Sequence, residues 1–321
     1  MDFNDVPSYV KEFLNYMLTI KNKSFNTVKE YHYDLRTFLR YLKAKNEGSL
    51  NCISNHEDLN KFDVSDFDIE EIRKINLSDL YEYFTFITIK LRNSSYARSR
   101  KVASIKAFFN YLFSKTKLIP NNPAKELESP KIGLRQPKHL TLEQSLNLLQ
   151  VIDGDNKERD YAIITLFLNC GLRLSELINI NITDIQEDKL RVIGKGNKER
   201  TIYLNKACID AINTYLNVRP KEGVKDRYAL FLSERKTRIS RRTVQYIVKK
   251  YVQLSNIDSK KISPHKLRHT AATLMYKYGN VDIRALQQIL GHQSVATTEI
   301  YTHIDDEQLR NAIKKNPLSG E

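Results

Sequence analysis

Apolar residues in this chain recur at spacings of three and four almost throughout, and only around residues 190–204 do they alternate with polar ones. A period near 3.6 lines side chains along one stripe of a helix, whereas a period of two lines them on one face of a strand. The chain is therefore expected to be mainly α (α+β), with helical units and one small β-hairpin. Val28, Tyr31, Leu35, Phe38 and Leu42 mark a helix beginning near Asn26, and Val10, Leu14 and Met17 mark one before it. The spacing predicts further helices over 77–89 and 95–114, the latter with Val102, Ile105, Phe109 and Leu112 inward and its basic residues largely outward.

Pro120, Pro123 and Pro130 interrupt this pattern, and the polar stretch 128–138, with Pro137 near its end, reads as a linker. A length of 321 residues suits two domains with full cores. We expect a helical bundle over 1–127 and a second domain over 139–321. The second opens with Thr141 and Gln144 in a capping-box arrangement, followed by an apolar helix over 160–169. Leu190 and Val192, then Ile202 and Leu204, form the two arms of the hairpin, whose tip is Gly194-Lys195-Gly196-Asn197. Helices are expected again over 206–218, 241–254, 264–278, 282–290 and 295–302, with a short last one over 305–315.

Charge narrows the partners. Lys plus Arg number 52 against 38 Asp plus Glu, a net +14 with a pI near 9.4, which suits a polyanion. The charge is also segregated: residues 90–117 hold eight bases and no acid, whereas 45–72 hold eight acids and two bases. One face is thus expected to meet a phosphate backbone, with an acidic insertion turned away from it. The longest apolar run, near Tyr161 to Leu168, is far below the ~18 residues of a membrane helix, and residues 1–20 carry acids where an export signal carries bases. Cys52, Cys170 and Cys208 show neither CxxC nor zinc-type spacing, which suits a reducing cytoplasm.

Three segments of the second domain carry chemistry. Gly171-Leu172-Arg173-Leu174-Ser175-Glu176 sets an arginine just after a buried helix. Ser263-Pro264-His265-Lys266-Leu267-Arg268-His269 puts His265 and Arg268 on one helical face. Leu290-Gly291-His292 is followed by Tyr301-Thr302-His303. Alone, each has an ordinary reading: Arg173 and Glu176 form an i, i+3 ion pair, Lys195 sits on a solvated turn, and Tyr301 is a core aromatic. His265 and His269 have a zinc-like i, i+4 spacing, but no third ligand accompanies them.

Taken together, in this order and spacing, the segments resemble the tyrosine recombinase (phage integrase) family, and within it the Xer-type chromosome-resolving recombinases. The resemblance spans nearly the whole chain. It implies that Arg173 and Arg268 clamp a phosphate, Lys195 is the hairpin lysine, His265 and His292 are the two histidines, and Tyr301 is the nucleophile. Glu176 matches the acid that supports the first arginine, and Lys198 remains a rival for the role of Lys195. Two permanently charged guanidinium forks can stabilise the charge that develops on phosphate oxygens during phosphodiester cleavage. A phenol attacking there forms a 3′-phosphotyrosyl ester close in energy to the DNA ester, so rejoining needs no nucleotide. The chain has no GxxxxGK[ST] loop and no carboxylate cluster for two-metal hydrolysis, so neither cofactor nor metal is expected.

The resemblance further implies a C-shaped clamp on a double-stranded DNA recombination site, with backbone contacts from the 90–117 region through Arg98, Arg100, Lys101 and Lys106. It implies four protomers on two sites, as a homo- or hetero-tetramer exchanging the 305–315 segment, with a second Xer recombinase and a DNA translocase as further partners. No membrane partner is expected. Two rival readings are a mobile-element integrase and a noncatalytic DNA-binding protein of the same fold. Helical periodicity from about residue 10 leaves no room for the extra N-terminal arm-binding domain such integrases often carry, and the six catalytic positions are all filled by competent residues.

Overall fold

The computed structural model describes residues 3–131, 139–194, 198–258, 262–279, 281–291 and 298. The expected segments 128–138, 295–302 and 305–315 therefore lie partly or wholly outside the described residues. The chain divides into two compact units, Met1–Leu134 and Arg135–Glu321. Among the described residues no helix is long and apolar enough to cross a membrane.

The first unit is built on α1 (Ser8–Thr19), α2 (Phe25–Asn46), the short α3 (His56–Asn60) and α4 (Ile69–Arg73), α5 (Leu77–Ile89) and α6 (Ser95–Ser114). Side-chain caps set the starts: Ser24 accepts from the Thr27 amide, Ser94 accepts from the Ala97 amide, and Asn76 forms a capping box with Asp79. Phe13, Phe38, Tyr83, Phe108 and Phe109 fill the core, with Phe13 and Phe108 packed edge to face at 5.5 Å.

The acidic segment is integral to this unit, because Ile53, Leu59, Val64, Phe67 and Ile72 are buried in the same core and the Tyr9 hydroxyl donates to the Phe67 carbonyl at 3.0 Å. The bases of α6, expected to face largely outward, are instead half-buried or, at Lys101, buried, which corrects that expectation. Lys101 is buried, with its amine 2.7 Å from Asp34, a carboxylate with no exposed surface. Arg100 reaches the same carboxylate at 2.7 Å, and Ser104 donates to it at 3.3 Å. A buried carboxylate needs such partners, so Lys101 holds the bundle together and its amine is not presented to a ligand. Arg98 donates to Thr88 Oγ1 and Lys106 to the Leu127 carbonyl, each at 2.9 Å and partly buried.

The second unit comprises α7 (Leu142–Gln150), α8 (Lys157–Cys170), α9 (Leu174–Asn179), β1 (Ile185–Gln186), β2 (Lys189–Ile193), β3 (Glu199–Tyr203), α10 (Lys206–Val218), α11 (Arg241–Leu254), α12 (Pro264–Tyr278) and α13 (Ile283–Leu290). The Thr141–Gln144 capping box forms as the residues predict. Helix α8 is buried almost all round and packs on α10 and α12, so it is the axle of the unit. The expected hairpin is present as β2 and β3, antiparallel with Leu190 opposite Ile202, and β1 adds a third strand in the order β1-β2-β3.

Candidate active site

Helix α8 delivers the first arginine by stopping abruptly. Gly171 ends it in the left-handed conformation (φ +59°), which favours glycine, and a Cβ there would lie 2.9 Å from Leu290 Cδ2, so a side chain would also displace that leucine. Two residues later Arg173 stands just before α9, where the Glu176 side chain turns back on it. The Arg173 amide donates to Glu176 Oε2 at 2.7 Å, and its Nη1 donates to Oε1 at 2.8 Å. Pro264 opens α12, placing Arg268 one turn into the helix; the residue is only 2% exposed and its guanidinium donates to the Gly171 carbonyl at 2.7 Å.

A residue the sequence reading passed over completes this centre. Arg200, on β3, meets Glu176 fork to fork, Nη1 to Oε1 at 2.5 Å and Nη2 to Oε2 at 3.1 Å. Arg268 Nη1 lies 3.9 Å from Glu176 Oε2, so three guanidinium groups surround one buried carboxylate. Burial pushes the Glu176 carboxyl up, but the hydrogen bonds from Arg200 and the Arg173 amide, with the neighbouring positive charge, outweigh it and hold the carboxyl below its ordinary value. Glu176 is thus an anion that gathers cations, and three guanidinium groups against one carboxylate leave the centre net positive.

The same arginines fasten the end of α13. Arg200 Nε donates to the Ile289 carbonyl at 3.2 Å, Arg268 Nη2 to Leu290 at 2.6 Å and Arg173 Nη2 to Gly291 at 2.7 Å. Three successive carbonyls, the negative end of the helix dipole, are each taken by a different arginine. Gly291 adopts φ +63°, and a Cβ on it would come within 3.1 Å of Arg200. Gly194, the residue after β2, packs against the cluster, where a Cβ would lie 3.5 Å from Glu176 Oε1 and 3.8 Å from Arg173 Nη1.

Of the sequence-predicted site residues, the structure brings together Arg173, Glu176 and Arg268. Lys195, His292 and Tyr301 lie outside the described residues, although Gly194 and Gly291, the residues just before the first two, both pack on the arginine cluster. His265 is on the same helix as Arg268, with its Nε2 2.9 Å from His269 Nε2, so one ring donates and the other accepts. Desolvation, then the positive charge of Arg268, Lys266 and Arg173, holds the His265 imidazole below its ordinary value. It is therefore neutral at neutral pH and able to accept a proton. No group of three or more His, Cys, Asp or Glu side chains among the described residues is arranged to hold a metal ion.

Comparison with known proteins adds an independent line. The model of the phage integrase family matches residues 138–308. Tyrosine recombinase XerC of Caldanaerobacter subterraneus subsp. tengcongensis is 61% identical over 315 residues, covering 98% of this chain and 88% of that protein. Tyrosine recombinase XerD of Proteus mirabilis is 33% identical over 314 residues, covering 96% and 91% respectively. Among solved structures, the XerH site-specific recombinase bound to palindromic difH substrate in a post-cleavage complex has the same fold. It shares 23% identity and a TM-score of 0.69, with 96% of this chain and 94% of that one covered.

Proposed function

The chain belongs to the phage integrase family, the tyrosine recombinases, and is a site-specific DNA recombinase of the Xer type; from that premise we propose how its residues carry the reaction. Arg173 and Arg268 bind the nonbridging oxygens of the scissile phosphate and offset the charge that grows there. The Tyr301 phenol oxygen attacks phosphorus, His265 in its neutral form accepts the phenol proton, and His292 donates a hydrogen bond to the phosphate. The P–O bond to the 5′ oxygen breaks, Lys195 supplies that oxygen with a proton, and a 3′-phosphotyrosyl ester remains. Reversal with a 5′ hydroxyl from a second site exchanges strands.

The observation that carries this reading is the convergence of Arg173 and Arg268, from separate elements, on one buried carboxylate, with the residues leading into Lys195 and His292 packed against the same cluster. We assign residues 1–127 to DNA binding and 139–321 to catalysis. The phosphate contacts of the first unit fall to Lys90, Arg92, Lys115 and Lys117, which are exposed, more than to Arg98, Arg100 and Lys106, whose donors have internal partners, and not to Lys101. In the second unit, Arg241, Arg242, Tyr246 and Lys249 form an exposed basic face on α11. Four protomers would act on two double-stranded sites in the cytoplasm, exchanging residues 305–315, with a second Xer recombinase and a DNA translocase to resolve chromosome dimers. Sequencing the DNA attached covalently to the enzyme in its native cells tests this role. A single chromosomal locus is expected, and recovery of mobile-element ends would replace resolution with integration.

A further inference from the structure

We propose that Arg200 is a positioning residue for strand cleavage, acting through Glu176 and Arg173, an inference that rests on the reading of Arg173 as a phosphate clamp. Arg200 lies on the inner face of β3 with its side chain 15% exposed, and each nitrogen of its guanidinium is spent on a different acceptor. Two of these are the carboxylate oxygens that orient Arg173, and the third is the Ile289 carbonyl. One planar group thus ties together the hairpin carrying Lys195, the acid behind Arg173 and the helix end that leads into His292.

The geometry needs a fork. Glu176 accepts four hydrogen bonds, two of them from Arg200, so removing Arg200 leaves the carboxylate held only by the Arg173 amide and guanidinium, and the Arg173 guanidinium shifts as the carboxylate relaxes. A lysine would keep the charge but could not span both oxygens and the Ile289 carbonyl at once. A displacement of this kind leaves DNA binding intact while misplacing the donors that meet the transition state.

The test is a double-mutant cycle on single-turnover cleavage, using a nicked duplex carrying the site recovered from native covalent complexes. Arg200→Ala should cleave about ten- to a hundredfold more slowly at unchanged DNA affinity, and Arg200→Lys should remain about tenfold slow. Combining Arg200→Ala with Arg173→Ala should cost no more than about twofold beyond Arg173→Ala alone, because the role of Arg200 passes through Arg173. If Arg200→Ala does not fold, the same cycle is run with Arg200→Lys. Wild-type cleavage by a folded Arg200 variant would overturn the proposal, as would losses that multiply fully in the double variant. Wild-type cleavage by Arg173→Ala would instead remove the clamp reading, and the proposal with it.

Discussion

Glu176→Gln preserves shape and removes the charge at the centre of the arginine cluster. The carboxylate accepts four hydrogen bonds, from Arg173 Nη1 and Arg200 Nη1 at Oε1 and from the Arg173 amide and Arg200 Nη2 at Oε2. An amide keeps one oxygen and sets its NH₂ against two donors, so two charge-assisted bonds are lost. At about 1.5–3 kcal/mol each the loss is about 3–6 kcal/mol, in line with the about 3–5 kcal/mol for removing one partner of a buried ion pair. For a unit the size of 135–321, at about 2–4 °C per kcal/mol, a 3–5 kcal/mol loss lowers Tm by about 6–20 °C.

The pH dependence is sharper than the shift itself. Because the folded carboxyl sits below its ordinary 4.5, its stabilisation is fully present above that value and is lost only as pH falls through the folded pKa. Thermal unfolding of wild type and variant, followed by circular dichroism, should show a constant gap from pH 7 to 5 that narrows only below 4.5. A gap under about 1 kcal/mol at pH 7 would refute the reasoning, and so would one that already closes between pH 7 and 5, since burial would then have won over the arginines.

The remaining predictions concern other parts of the chain. Cleavage under single-turnover conditions should stay flat as pH falls from 8 towards the ordinary histidine value of 6.5 and decline only below it, because the folded pKa of His265 is depressed; a decline already near pH 7.5 would deny it the role of base. Lys101→Met should destabilise the first unit by about 3 kcal/mol and leave the salt dependence of DNA binding unchanged, whereas Lys90→Ala or Arg92→Ala should reduce the slope of log K against log salt by about 1 with little effect on Tm. Hydrogen bonding to Cys208, 3.7 Å away, and burial push the Cys170 thiol well up, so a thiol reagent at pH 8 should titrate only the exposed Cys52 of the three cysteines until denaturant is added. Rapid native labelling of Cys170 would show that the end of α8 opens.

What was legible in the sequence depended on how local its cause is. Helices α5, α6, α10, α11 and α12 begin and end where the spacing predicts, since the side-chain caps Asn76, Ser94, Asn205 and Ser240, and Pro264 at the first position of α12, lie within a turn of the residues they serve. Strand β1 escaped because two residues cannot display a period of two. The packing of the acidic segment was not legible because its five buried apolar residues are separated by charges that hide any regular stripe. Lys101 was placed outward as a charge, although it stands four residues before Ile105 on the buried stripe, and its partner Asp34 is 67 residues away in the chain. Arg200 carried a usable signal, since alternation along β3 sets it on the same side as Ile202, where a charge needs a buried partner. That partner is Glu176, which becomes apparent only once the hairpin is folded against α9.

The central claim is that Tyr301 is the residue that takes the DNA 3′ phosphate, and the most direct measurement identifies the point of attachment. The enzyme is incubated with a nicked duplex carrying its site, so that the strand beyond the cut diffuses away and the covalent intermediate accumulates. The adduct is then digested with protease and nuclease and sequenced by tandem mass spectrometry. The account predicts a nucleotide joined through its 3′ phosphate to the tyrosine of the peptide containing Glu299-Ile300-Tyr301-Thr302, with no adduct from Tyr301→Phe at undiminished DNA binding. Attachment at any other of the 18 tyrosines, at a 5′ phosphate, or in the Tyr301→Phe variant would contradict it.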